Sequence, residues 1–301
     1  MLGNGSFKRV YINDAAGMLR HSEALPENEP KHWWLFRGMP NIKFDLQTSI
    51  ERALIDAGIK LGDAPQIERK LLKEFKRRAH FYVSPLPVTG DVLGWLALMQ
   101  HHGTPTRLLD WTYSFYVAAF FALADAVSNP ADKRTPAVVW ALFREAFKLG
   151  EQAPSAKSAY DAATVRSSWQ IDMGRADGDN IYDGINAYLT QIMESPEPSI
   201  WAVNAFQLNE RLSVQQGVFL CPGDLTKSFE DNLIAGRPSP ANLVCFEFST
   251  DPEARAEMLG VLHRMNINKA SLFPGLDGFA RSLWQASWIG GKLRPESPSH
   301  G

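Results

Sequence analysis

Cysteine is nearly missing from this chain. Two residues, Cys221 and Cys245, in a length of 301 cannot form a disulfide framework, and no C-x-x-C pair exists for zinc or thiol redox chemistry. Both read as core thiols of a reducing compartment. Long apolar runs are missing too. The longest, Phe115–Ala124, is about half of the ~20 residues a membrane span needs. The N-terminal residues lack the apolar stretch of a signal peptide. A cytoplasmic protein with no membrane contact is therefore expected. Charge of one sign is missing as well, since 31 basic and 33 acidic residues leave a net charge of −2. Proteins that live on nucleic acid are usually strongly basic, so any contact with DNA or RNA is expected to be local. There is no G-x-G-x-x-G, no Walker phosphate loop, no H-E-x-x-H and no G-x-S-x-G. Ordinary oxidoreductases, P-loop enzymes and zinc hydrolases are disfavoured accordingly. His101 and His102 are adjacent, and neighbouring side chains diverge on a helix or a strand. They make a poor chelate, and no metal is expected.

What the chain has is apolar mass. Apolar residues make up 45% of it, with nine Trp and seventeen Phe, enough for a sizeable core. The order of elements predicts an α+β fold. Residues 1–30 form a polar N-terminal segment. Trp33–Phe36 reads as a buried strand that stops at Arg37-Gly38. Ser49–Ala57 reads as a helix, and Gln66–Val83 as a stronger one with Ile67, Leu71, Leu72, Phe75 and Ala79 on one face. Its other face, with Arg69, Lys70, Lys73, Lys76, Arg77 and Arg78, is a solvated surface or a phosphate-contacting stripe. Asp91–His102 reads as a helix capped by Asp91, and Thr106–Leu109 as a short strand. Ser114 is placed to cap the apolar helix Phe115–Val127. Ala137–Leu142, Ser213–Leu220 and Leu243–Phe248 read as strands. Asp251-Pro252 opens a helix to Met265, and Leu272–Trp284 is a further helix interrupted by Pro274-Gly275. Residues 150–190 are polar, Gly/Asp-rich and without sustained periodicity, an insertion or long loop with some helix near its end. From 290 on, a flexible tail is expected.

Three segments can carry chemistry. The densest is Gln100-His101-His102-Gly103-Thr104-Pro105-Thr106-Arg107-Leu108-Leu109-Asp110-Trp111-Thr112. A polar run between two apolar helices must face a cavity or satisfy itself internally. Asp110 either caps or pairs with Arg107, or it faces a ligand. The second segment is Phe36-Arg37-Gly38. An arginine ending an apolar strand reaches a phosphate or carboxylate with its planar fork, or it bridges to a core carboxylate such as Asp110. The third is Arg211 to Leu220, where Gln215 and Gln216 sit inside what reads as an apolar strand. Strand alternation would turn one of them inward, as a core link or as a ligand contact.

At these residues the chain resembles the FRG domain family, through Leu35-Phe36-Arg37-Gly38, the run from Gln100 to Thr112, Ala118-Ala119 with Phe121-Ala122, Arg211 with Gln215-Gln216-Gly217-Val218-Phe219, and Ser271 to Gly278. That likeness runs from about residue 33 to 284 and implies a domain over residues 31–289. More distantly, the chain resembles ADP-ribosyltransferases of the Arg–Ser–Glu type. Phe36-Arg37-Gly38 is similar to their first motif, Asp110-Trp111-Thr112 with Ala118–Ala122 to their second, and Gln215-Gln216 before Val218 to their third. The resemblance implies small mixed or antiparallel sheets flanked by helices, and an NAD-consuming enzyme with NAD as substrate. Such an enzyme passes ADP-ribose to a nucleic acid, a protein or a small molecule, or to water, as a toxin or phage-defence effector does. A toxin would bring a cognate antitoxin or another neighbour-encoded partner.

The resemblance also implies roles. Arg37 and Gly38 would bind the nucleotide with Arg107, Trp111 or Tyr113 would stack on nicotinamide, and Thr112 would support the strand end. His101 or His102 would position the acceptor or act as a base. The third motif departs from the pattern. It offers Gln215 and Gln216 where a carboxylate is usual, so Asp110 is the candidate for the missing negative charge. The alternatives are a silent relative that binds a nucleotide or partner, and a nuclease or hydrolase that uses Asp110 with the histidines.

Overall fold

The structure, a computed structural model, describes residues 5–25, 34–128, 135–143, 179–204 and 210–289, without the side chains of 125–128, 179–184 and 284–289. The expected insertion at 150–190 lies outside these residues as far as 178, and so does the expected tail. The described strands are β1 (Lys8–Ile12), β2 (Trp34–Met39), β3 (Leu109–Thr112), β4 (Val138–Phe143), β5 (Ile200–Val203), β6 (Gly217–Pro222) and β7 (Leu243–Phe248). They form one seven-stranded mixed sheet in the order β1-β7-β4-β2-β3-β6-β5. The separate small sheets implied by the resemblance are thus replaced by a single one. Only β1 and β7 run parallel, and the polar N-terminal segment supplies this edge strand.

The helices are α1 (Ala15–Leu19), α2 (Ser49–Asp56), α3 (Ala64–Arg78), α4 (Val92–His101), α5 (Phe115–Ser128), α6 (Asp179–Glu194), α7 (Glu210–Val214), α8 (Phe229–Ala235), α9 (Pro252–Arg264), α10 (Lys269–Leu272) and α11 (Leu276–Ile289). Several start where capping chemistry demands. Asp91 accepts from Gly94 N and Asp251 from Ala254 N, which satisfies amide groups that a helix start leaves open. Ser114 does the same for Val117 N at the head of α5. Thr48 and Glu51 close a reciprocal capping box on α2.

Strand alternation sorts the core into layers. Leu35, Leu109, Trp111, Trp140, Val218 and Leu220 share one face, covered by Phe229 and Leu233 of α8. The opposite face carries two separate clusters. One joins Phe36, Val139, Ala141 and Phe246 to α5 and to Met258 and Leu262 of α9. The other joins Phe219 and Cys221 to α4 and to Ile185, Tyr188 and Leu189 of α6. The helix expected at the end of the insertion is therefore a core element.

The two clusters meet between β2 and β3. There the sheet is nearly unzipped: β2 and β4 pair over six positions, but β2 and β3 share only Phe36↔Thr112. Gly38 keeps this seam close to α5. A Cβ at 38 would fall 1.9 Å from the Ala118 carbonyl oxygen, so only glycine admits the helix there.

Three expected strands move. The first does not stop at Arg37-Gly38 but runs through both to Met39, because β4 pairs with it over that length. Thr106 and Arg107 are not in a ladder. The Thr106 hydroxyl donates to the Gln100 amide oxygen and Arg107 is held by Glu68, so the strand begins at Leu109. Residues 213–216 are not a strand either. Glu210–Val214 is a helical turn, Gln216 turns the chain at φ 48°, and the strand starts at Gly217. Leu212 packs back over Gly217, where a Cβ would fall 2.2 Å from Leu212 Cδ1. The buried Leu212 of one helical turn imitates the next residue of an alternating strand.

Candidate functional site

A cleft of about 640 Å³ opens at the β2–β3 seam, a volume that suits a nucleotide-sized ligand. Arg37 lies on β2 beside the position where pairing with β3 stops. Its Nη1 donates to the backbone carbonyl of Asp110 at 2.5 Å. Its Nε is enclosed and, among the described residues, has no hydrogen-bond partner. Trp111 stands on the other side of the seam, and its indole Nε1 is buried without a partner in the same way. Both residues line the cleft. Buried donors are nearly always paired in native proteins, so two orphans on residues that line one cleft mark it as a place for an acceptor.

The charges agree. The cleft is lined by Arg37, Lys43, Arg52 and Arg211 against Asp45 and Asp110, whereas the chain as a whole is net acidic. Burial lowers the Arg37 pKa, Asp110 partly restores it and Arg52 lowers it again, to about 10. A bound anion would reverse that trend, because an opposite charge favours the charged form.

Asp110 alternates with Leu109 and Trp111, so it faces the opposite side of β3 and is exposed. It borders both the cleft and a narrow neck of about 70 Å³ that also touches Gln100 and His101. Thr112 also lines the cleft, but its hydroxyl is engaged within the fold. Its hydroxyl donates to the Gln215 carbonyl at 2.7 Å and accepts from Ser114 N at 3.0 Å. It thereby ties the end of β3 to the 215–216 turn and to the head of α5. The side-chain amide of Gln215 donates to the Leu272 carbonyl at 2.8 Å, and Gln215 borders the cleft and the neck. Gln216 is exposed, and its carbonyl accepts from Tyr113 N.

Arg107, Tyr113, His101 and His102 do not line the cleft. Arg107 is 2% exposed and its guanidinium is held by Glu68, which is 0% exposed, with Nε 2.9 Å from each carboxylate oxygen. Burial pulls its pKa down, and the charge and hydrogen bonds of Glu68 more than offset that, so it is raised. Arg107 therefore joins α3 to β3, and its Nη1 reaches the Pro222 carbonyl of β6. The Tyr113 hydroxyl is paired with the Asn204 amide. Trp111 is buried in the core, so its ring offers no stacking face. Stacking surface comes instead from Phe44, 51% exposed, and from Phe121. His101 and His102 are both exposed, and His101 borders the neck. Among the described residues, no group of three or more His, Cys, Asp or Glu is placed to hold a metal ion.

Lys43, Arg52, Phe44 and Arg211 were missed as site residues. Arg211 and Gln215 are four residues apart, so a helical reading of 210–214 would have put them on one side. Arg52 lies one residue beyond the Thr48–Glu51 box, on the exposed side of α2.

The fold and cleft define an α+β protein with a cleft at a seam of its central sheet, lined by more cations than anions. Residues 32–131 carry an FRG domain, matched by that family's model. The match spans β2, β3 and the whole of α5, with Arg37, Gly38 and Asp110-Trp111-Thr112, and stops before Arg211 and Gln215. No curated protein and no solved structure matches the chain. No helix among the described residues is long and apolar enough to cross a membrane.

Proposed function

We propose that the seam cleft binds NAD and that the protein is an ADP-ribosyltransferase-like enzyme or NAD glycohydrolase of a reducing, cytoplasmic compartment. The observation that carries the reading is the pair of orphan donors, Arg37 Nε and Trp111 Nε1, on two residues that line a cationic cleft of nucleotide size. A diphosphate supplies several acceptor oxygens and two negative charges, and an arginine fork suits it. Phe44 or Phe121 offers an apolar face to a ring.

Cleaving the bond between nicotinamide and ribose develops positive charge on the sugar. A site accelerates the step by holding that charge better than it holds the ground state. Asp110 is the carboxylate in position to do so, because it stands where cleft and neck join. Thr112 and Gln215 act by position: their hydrogen bonds fix the strand end and the turn that carry Asp110 and Arg211. A toxin or phage-defence role belongs to this same reading.

A second reading is a nucleotide-binding domain without catalysis. It is favoured by the engagement of the Thr112 hydroxyl and the Gln215 amide nitrogen in structural bonds. Free nicotinamide, measured after incubation with NAD and candidate acceptors, separates the two. The enzyme reading expects release that falls about 100-fold in Arg37→Ala and in Asp110→Ala. Release that survives both changes puts the site elsewhere. No release, with NAD still bound, selects the silent reading.

A further inference from the structure

The cleft does not end at Arg211. Beyond it lies a second chamber of about 720 Å³, open to solvent, between α5, α7, α10 and the start of α11. Phe121 and Arg211 border both spaces. Phe121 and Phe273 meet edge to face with ring centroids 5.9 Å apart, and the Arg211 guanidinium lies 4.7 Å from the Phe273 centroid. Lys269 and Arg281 add positive charge against Glu210 and Asp277. His101 borders this chamber and also the neck that leads to Asp110.

Aromatic faces beside cations suit a nucleobase and its phosphate, since stacking tolerates any base and the cations meet the backbone. A surplus of positive charge is a poor host for a lysine or arginine acceptor of a protein. The volume holds one nucleotide but not a duplex, so a base must stand outside a helical stack to enter.

We propose that the second chamber holds the ADP-ribose acceptor, a nucleotide unit presented by single-stranded nucleic acid, and that His101 takes the proton of the attacking group. The inference rests on the NAD-consuming reading of the cleft. The bond between ribose C1′ and the nicotinamide nitrogen breaks, and its electron pair stays on nitrogen, so nicotinamide leaves neutral. A base nitrogen or hydroxyl oxygen of the acceptor bonds to C1′, and its proton passes to the His101 imidazole. The positive charge of the nicotinamide ring is replaced by that of the imidazolium.

His101 suits a base. Burial first, then His102 and Arg211, lowers its pKa and keeps the ring neutral near pH 7. The charged groups around it are His102 on its own helix, Arg211 and Glu210 from α7, Asp110 across the neck, and Lys269, Asp277 and Arg281 around the chamber.

The test incubates the full chain with NAD and a single-stranded DNA or RNA oligonucleotide, with AMP in a parallel arm. The expected product is an oligonucleotide heavier by one ADP-ribose. Lys269→Glu with Arg281→Glu should lower the ratio of oligonucleotide product to released nicotinamide about tenfold or more. His101→Asn should flatten the acid limb of the pH profile of transfer, along which wild type loses its base by protonation. AMP modified as fast as the oligonucleotide overturns the strand, and modification of protein side chains alone overturns the nucleotide. If nicotinamide is never released, the NAD reading fails by itself and the chamber is tested by fluorescence anisotropy of a labelled oligonucleotide without NAD. Binding that the double charge reversal weakens about tenfold supports the chamber. Equal binding by both proteins, or none by either, overturns it.

Discussion

Arg37 and Arg107 flank the same stretch of sheet, and both guanidinium groups are drawn out of water. Arg107 has a complete set of partners. Glu68, itself fully buried, takes Nε and Nη2, and Pro222 takes Nη1. Arg37 is left with one backbone carbonyl and an orphan Nε. Burial alone would lower the pKa of both. A carboxylate reverses this for Arg107, while Arg37 remains lowered to about 10. A protein keeps a buried cation by completing its hydrogen bonds internally, or it leaves the set incomplete where a ligand completes it. Arg107 is of the first kind and holds α3 against β3 and β6. The proposed ligand site makes Arg37 the second kind, and it stands where β2 and β3 pair at a single position.

The sharpest way to break this contrast is Glu68→Ala, which strands a buried charge. It should destabilise the protein by about 3–5 kcal/mol in urea unfolding. Replacing both partners, Glu68→Leu with Arg107→Leu, should recover most of that loss, because an apolar pair carries no desolvation cost. Arg37→Ala is expected to do the opposite. Stability should change by less than about 1 kcal/mol, since few bonds are lost and one orphan donor is removed. Affinity for an anionic ligand should fall about 100-fold, some 2.7 kcal/mol. A stability loss at Arg37 equal to that at Glu68 would erase the distinction. Thr112→Val is the smallest expected effect, about 0.5–1.5 kcal/mol in thermal unfolding from the lost bond to Gln215. Ligand affinity should weaken with it as the turn carrying Gln215 loosens. An affinity loss with no change in stability would instead place the Thr112 hydroxyl on the ligand.

Local chemistry was legible in the chain. Asp91, Ser114 and Asp251 announce helix starts because a cap is settled within four residues. Leu243–Phe248 reads as a strand, and α5 as a buried helix, because their apolar runs leave no other role. Arg37, Asp110, Thr112 and Gln215 stand out in three separate segments of the sequence, and all four border one cleft. The seam itself was not legible. How many residues β2 and β3 pair over depends on partners far along the chain, and nothing in Leu109–Thr112 records it. Glu68 was hidden for a related reason. On a helix rich in Arg and Lys it reads as one more solvated charge, and only its distant partner Arg107 makes it a core residue. Gln215 and Gln216 were misplaced because Leu212, Val214, Val218 and Leu220 keep a period of two across a helical turn and a strand.

Isothermal titration with ADP-ribose, run on wild type and on Arg37→Ala at matched thermal stability, bears most directly on the seam as a ligand site. The expected result is saturable binding by wild type and about 100-fold weaker binding by the variant. Equal heats from the two proteins, or no binding by wild type, would contradict it.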